Sequence, residues 1–149
     1  MNLSVGRWRN ILKRLNSTLE SIALKDKQPV ALPGGEVIRT LPAYRYLSWN
    51  VAEYEAFRAA TPRGGVALDV GANVGAYALL FGQWVGPSGS VVAFEPQPEV
   101  FHGLSAHVRL NGLQGSVRAV RAAVSDREQE AAVLLAGSAG EARLASTAE

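Results

Sequence analysis

LDVGANVGAYALLF, residues 68 to 81, sets an acid at the end of one apolar run and two glycines, Gly71 and Gly75, ahead of another. Glycine costs about 0.5–1 kcal/mol relative to alanine inside a helix or strand. A chain that spends it twice here is turning sharply. Upstream, Val66–Val70 reads as a short apolar strand, and Val74–Val85 reads as a helix. A strand that runs through a glycine turn into a helix is the start of a parallel α/β unit.

The same rhythm continues downstream. Gly86-Pro87-Ser88-Gly89 is a turn, Ser90–Phe94 a second apolar strand and Glu99–Leu110 a second helix. Asn111-Gly112 ends that helix. Val117–Val124 reads as a third strand, and Ser125-Asp126 turns toward a fourth at Ala131–Leu135. Continuous apolar strands separated by helices indicate a parallel sheet covered on both faces. Right-handed crossovers then give a doubly wound α/β sheet. The tail, Gly137 to Glu149, is small and polar and reads as a loop.

Upstream of the sheet lie two further parts. Trp8, Ile11, Leu12, Leu15, Leu19 and Ile22 follow helical spacing, so residues 1–28 hold an amphipathic helix for packing on this domain or a second copy. Residues 29–65 form a lead-in: a loop at Pro29–Gly35, short strands at Val37–Leu41 and Tyr44–Leu47, and a helix Val51–Ala60. Asn50 stands at the cap of that helix and Glu53 at the capping-box position. Residues 66–149 form the α/β half.

With 149 residues, 48% hydrophobic and 19% charged, the chain can build one globular core. The net charge is +2 and the basic residues are scattered, so no nucleic-acid footprint is expected. The chain has no cysteine, which excludes disulfides and thiolate chemistry and fits a cytoplasmic location. Its apolar runs are too short to span a bilayer, and membrane contact is not expected. His102 and His107 are five apart, off a common helical face and without an acidic cluster, so no metal site is read.

In a parallel sheet, ligands sit outside the carboxyl ends of the strands. Gly71–Gly75 falls there, where bare backbone and the N–H groups of a helix start can meet a ligand. Glu95 ends the second strand, 24 residues after Gly71. An acid about 20 residues beyond a glycine turn suits ribose hydroxyls, and an ionised carboxylate accepts both of their hydrogen bonds. A dinucleotide turn needs G-x-G-x-x-G. Here the middle glycine is Asn73, and Asp69 would repel a pyrophosphate. Asp69 suits an ammonium group instead. A ribose at one end and an amino acid at the other describe S-adenosylmethionine.

LDVGANVGAYALLF, VVAFEPQPEVFHGL, VRLNGL and VRAAVSD, in this order, resemble the FkbM-type methyltransferases over about Val66 to Gly137. The resemblance implies a Rossmann-like methyltransferase fold and an S-adenosylmethionine-dependent enzyme that O-methylates a hydroxyl of a small molecule or sugar. It implies a methionine-side turn of Asp69, Gly71, Ala72, Asn73 and Gly75. Glu95 would hold the ribose, Pro96 and Gln97 would flank the adenine, and Ala123 at the end of the third strand would wall it. The family often carries Asn where this chain has His107, a position expected to be structural. The family also continues with a strand reading roughly I-K-I-D-V-E-G, which nothing after Gly137 matches. A sheet incomplete beyond the first strand is therefore expected, as in a fragment or a homodimer.

Catalytic residues are not assigned. Asp126 and His107 are visible bases, but neither falls at the reacting end. Two other readings remain: a non-catalytic remnant that keeps the fold, and a nicotinamide-binding oxidoreductase domain, which Asn73 disfavours.

Overall fold

The computed structural model describes residues 29–44, 47–127, 133–135 and 142–144. The expected helix Trp8–Ile22 lies outside the described residues.

Three strands, β3 (Val66–Val70), β4 (Ser90–Phe94) and β5 (Val117–Val120), form a parallel sheet in the order β3-β4-β5. The helix α2 (Ala76–Val85) joins the first pair and α3 (Pro98–Leu110) the second. Both crossovers step across the sheet in the same direction. Right-handed connections then place both helices on one face. That face carries the core: Val91, Ala93 and Val117 from the strands, Leu79 and Val85 from α2, and Leu104 and Val108 from α3 are buried. The α/β fold expected from the apolar runs is present, as an open sheet.

The other face is uncovered among the described residues. Val66, Leu68 and Val70 are 75%, 65% and 60% exposed, although the sequence reads them as fully buried. The register sets Leu68 beside Val92 and Arg118, and Val70 beside Phe94 and Val120. The sequence pattern reports that Val66, Leu68 and Val70 make one face of β3 apolar; it does not report what covers it.

Several boundaries move. The third strand stops at Val120 rather than Val124. The expected fourth strand is β6 (Val133–Leu135), and it does not join the parallel sheet. It pairs antiparallel with β7 (Ala142–Leu144), inside the tail read as a loop. Alternating small and polar residues hide such a short strand.

The lead-in packs on the outer side of α2 and α3. Here β1 (Pro29–Ala31) pairs antiparallel with β2 (Val37–Arg39), so the first residues of the expected loop are a strand. Proline is tolerated as the first residue of an edge strand. β2 ends at Arg39 rather than Leu41, and Pro42–Tyr44 form a 3-10 turn; of the strand expected at Tyr44–Leu47, residues 45 and 46 lie outside the described residues. Ile38 is fully buried. The Asn111 side chain brackets the backbone of Arg39, accepting from its N–H and donating to its carbonyl, each at 2.8 Å.

The helix α1 (Val51–Ala60) starts as expected, with Asn50 Oδ1 accepting from the N–H of Ala52 and Glu53. Glu53 does not complete a capping box. Its carboxylate accepts from the Tyr77 hydroxyl at 2.6 Å instead. Phe57 stacks edge-on against Tyr77 at 5.2 Å and holds α1 to α2.

Glu36 is a buried acid that the sequence does not reveal. Its carboxylate accepts from Tyr54 at 2.5 Å and from the Trp84 indole at 2.8 Å, with the Arg58 guanidinium 3.5 Å away. Burial pushes its pKa up, but these hydrogen bonds, its own backbone N–H and Arg58 outweigh that and leave it below the ordinary 4.5. A lowered folded pKa stabilises at pH above 4.5 and is lost as pH falls through the folded value. Tyr54→Phe leaves Glu36 and the Gly34 N–H, which donates to the same hydroxyl, each short of a partner. The expected loss is about 2 kcal/mol in urea unfolding at pH 7, shrinking as Glu36 protonates below pH 4.5.

Candidate nucleoside site

The turn after β3 is built over the end of β4. The N–H groups of Gly71 and Ala72 both donate to the Phe94 carbonyl, at 3.0 and 2.9 Å. This is possible because Gly71 has φ +77°, a left-handed conformation that costs glycine nothing. Asn73, at φ +51°, is the sole non-glycine residue with positive φ among the described residues. Asparagine tolerates that region because its short amide bonds locally, and here Asn73 Oδ1 accepts from the Val74 N–H at 2.7 Å. Gly75, at φ +95°, caps α2 without a side chain.

The two glycines do different work. A Cβ on Gly75 would lie 2.7 Å from Leu104 Cδ1, a fully buried side chain of α3. Gly75 therefore sets the approach of α2 to α3. A Cβ on Gly71 would meet nothing within 4 Å. Gly71 borders open space, where a ligand can approach bare backbone.

Glu95 meets this turn directly. Its Oε2 accepts from the N–H of Asn73 at 2.9 Å, and its Oε1 accepts from the N–H of Gln97 at 2.9 Å. Its own N–H donates to the Val120 carbonyl at 3.0 Å. One residue thus clips together the glycine turn, the loop into α3 and the end of β5. Glu95 is only 4% exposed. Each carboxylate oxygen still has a second lone-pair site for a donor. Pro96 and Gln97 are half-buried beside it, and Gln97 caps α3.

Asp69 stands two residues before Gly71, in register with Ala93 and so on the helix-covered side of the sheet. Its Oδ2 is sealed from solvent and has no hydrogen-bond partner. Burial pushes its pKa up to about 6, and the N–H of Ala78, in the first turn of α2, only partly offsets this. A buried oxygen without a donor costs on the order of 1–3 kcal/mol. Among the described residues, Asp69 Oδ2 is the sole buried side-chain oxygen or nitrogen without a hydrogen-bond partner.

Of the nine expected binding residues, Gly71, Ala72, Asn73, Gly75, Glu95, Pro96 and Gln97 lie on the two connected loops, and Asp69 lies in β3 just before the first of them. Ala123 does not lie at the end of a strand, because β5 stops at Val120; it is exposed in the segment that follows. The visible bases are not placed for chemistry. His107 is fully buried, with Nδ1 against the Val74 carbonyl at 2.7 Å and Nε2 accepting from the Leu41 N–H at 2.9 Å. Asp126 is exposed and sits 3.5 Å from Arg127. Trp49 donates to the Ala76 carbonyl and Trp84 to Glu36, which makes both packing residues. Among the described residues no group of three or more His, Cys, Asp or Glu side chains could hold a metal, and no helix is long and apolar enough to cross a membrane.

A cleft of about 460 Å³ between Gln83, Gly86 and Gly112–Ser116 opens at the opposite end of the sheet. It lies at the last turn of α2, whereas the glycine turn lies at the first.

No family model matches the chain. No curated protein matches it either. Solved structures do. An S-adenosylmethionine-dependent O-methyltransferase from Thermotoga maritima is 17% identical, over 64% of this chain and 40% of its own length, with a TM-score of 0.48. TYW2 from Methanocaldococcus jannaschii, solved with AdoMet, is 20% identical over 63% and 42%, with a TM-score of 0.48. Trm5 from the same organism, solved with adenosine, is 16% identical over 66% and 31%, with a TM-score of 0.47. The chain spans less than half the length of each.

Proposed function

We propose that this chain is the nucleoside-binding part of an S-adenosylmethionine-dependent methyltransferase. The observation that carries the reading is the contact between Glu95 and the Asn73 N–H, which joins the distant acid directly to the glycine turn. The residues present fit the cofactor. Open space borders Gly71, the unpartnered Asp69 oxygen asks for a cation, and Glu95 has acceptor capacity left beside Pro96 and Gln97. Ala123 is near enough in sequence to β5 to border the adenine, with its place at a strand end given up.

When bound, S-adenosylmethionine supplies a methyl group already activated on a sulfonium, so the protein's part is binding, orientation and exclusion of water. Asp69 neutralises the ammonium end. The turn Gly71–Gly75 presents backbone to the amino-acid end. Glu95, with acceptor capacity left on each oxygen, would hold the ribose hydroxyls. Transfer to oxygen also needs a base for the acceptor proton, and no described residue is assigned that role.

The finer reading is of FkbM type, with a small-molecule or sugar hydroxyl as acceptor, acting in the cytoplasm. The residues of the resemblance support it, as do the scattered basic side chains. Methyl transfer to RNA alone, in a panel that also holds hydroxyl compounds, would replace the acceptor part of this reading. For the cofactor, saturating S-adenosylhomocysteine at 100 times its Kd should add about 2.7 kcal/mol of stability. An unchanged melting temperature would overturn the proposal.

A further inference from the structure

The outer edge of β3 is open among the described residues, where the sheet order is β3-β4-β5. The bonds on its inner side tell which backbone groups are free. The Gly65 carbonyl accepts from the Ser90 N–H, and the Gly71 N–H donates to the Phe94 carbonyl, so Gly65 and Gly71 turn toward β4. In a parallel strand the N–H and C=O of one residue point the same way, and successive residues alternate. Ala67 and Asp69 therefore also turn toward β4. Val66, Leu68 and Val70 turn their N–H and C=O outward, and their side chains stand exposed on the open face.

This edge has no proline, lysine or bulge, and its one charge, Asp69, lies on the helix-covered side. An unguarded apolar edge is a template for another strand. This one also fits itself. In Val66-Ala67-Leu68-Asp69-Val70 the outward residues read valine, leucine, valine in either direction, with Leu68 at the centre. A two-fold axis through Leu68 sets Leu68 against its own copy and Val66 against the second copy's Val70. All the outward residues then fall at hydrogen-bonded positions of an antiparallel ladder, each pair exchanging two bonds. Any other antiparallel register leaves at least one of them without a counterpart in β3.

We propose that two copies of this chain pair along β3, antiparallel about a two-fold axis at Leu68, into one continuous sheet. The pairing does not rest on the nucleoside reading, since the turn at Gly71 lies beyond the paired residues. The charged side chain of the open face, Arg118, stands on β5, two strands from the axis. The net charge of +2 sets up little repulsion between copies. On the helix-covered side the two Asp69 carboxyls lie diagonally, about 7–8 Å apart, and weaken the pair. A strand of five residues also covers less than the roughly 800 Å² per partner of a standard interface. The expected dimer is therefore weak, with a Kd on the order of 10 μM.

The chain has no cysteine, so single introduced thiols read the register. Opposed residues at a hydrogen-bonded position have Cα atoms about 5.5 Å apart, inside the disulfide range of about 4.4–6.8 Å. Under mild oxidation Leu68→Cys should link to its own copy. Val66→Cys and Val70→Cys should not do so alone, because each lies about 14 Å from its own copy, but the two mixed together should link. Val51→Cys, exposed on α1, controls for random collision. Sedimentation of the unsubstituted chain should show a monomer–dimer equilibrium. Leu68→Lys sets two ammonium groups at the axis and should raise the Kd roughly tenfold or more, with the urea midpoint of the dilute chain unchanged. A chain that stays monomeric at every concentration, as when its own Trp8–Ile22 segment covers the edge, would overturn the inference. So would a dimer that Leu68→Lys leaves intact, or one in which Leu68→Cys links no faster than Val51→Cys. Self-linking by Val66→Cys or Val70→Cys as ready as that of Leu68→Cys, or failure of their mixture to link, would overturn it as well.

Discussion

Glu95→Ala is expected to lower stability by about 3 kcal/mol and to abolish nucleoside binding. The stability loss follows from the two backbone N–H groups that the carboxylate holds, Asn73 and Gln97, at 2.9 Å each. Both lie in part-buried surroundings where a lost acceptor costs on the order of 1–3 kcal/mol. Asn73 also keeps an unfavourable positive φ, which the clip helps to enforce. A loss of this size lowers the melting temperature by roughly 10 °C. Binding is lost for the second reason proposed above, the ribose contact. The two effects separate in Glu95→Gln. The amide retains one acceptor oxygen, so about half the stability should return, but it presents an NH2 group to a donor. Direct titration below the melting temperature of each variant reads the binding without the stability. Near-normal affinity in folded Glu95→Ala would leave Glu95 as a clip and nothing more.

His107→Ala is expected to cost about 4 kcal/mol, the largest loss of any single substitution on α3. The imidazole is fully buried and joins three parts of the chain. Its Nδ1–H donates to Val74, at the end of the glycine turn, and its Nε2 accepts from Leu41, just past β2. That pattern fixes the neutral Nδ1–H tautomer. The Tyr44 ring stands edge-on to it at 5.3 Å. Removing the ring orphans a carbonyl and an N–H and opens a cavity, and the two costs add. His107→Asn keeps a donor and an acceptor on a shorter side chain, so about 2 kcal/mol is expected. Urea unfolding with an unchanged slope reads both values. Because Val74 belongs to the turn, the alanine variant should also bind the nucleoside more weakly. A loss below about 1 kcal/mol would show that the ring is not the pin that its bonds imply.

The parts of the fold that were legible are those set by local chemistry. The glycines at Gly71 and Gly75, the apolar runs of β3 and β4 and the Asn50 cap all act over a few residues, and each forms where its pattern indicates. The meeting of the glycine turn with Glu95 was legible for the same reason. A parallel pair puts the ends of adjacent strands together, so a turn after β3 and an acid after β4 must meet. What the sequence withheld is the use to which an acid is put over long range. Glu36, Glu53 and Glu95 are alike as letters. One is a buried anchor, one ties a tyrosine between helices, and one clips two loops. Partners 18 and 24 residues away choose among these roles for the first two, and no periodicity records them. His107 likewise shows no pattern, since its partners are backbone groups. The open face of β3 misled for another reason: an apolar run states a preference for burial, not its fulfilment.

The central claim is that the glycine turn and Glu95 grip opposite ends of one nucleoside, and amide NMR tests it most directly. On titration with S-adenosylhomocysteine, the backbone N–H resonances of Gly71, Asn73 and Gln97 should shift together and saturate at one ligand per chain. Resonances that stay put at saturating ligand, or shifts confined to the cleft around Gln83 and Gly112–Ser116, would contradict it.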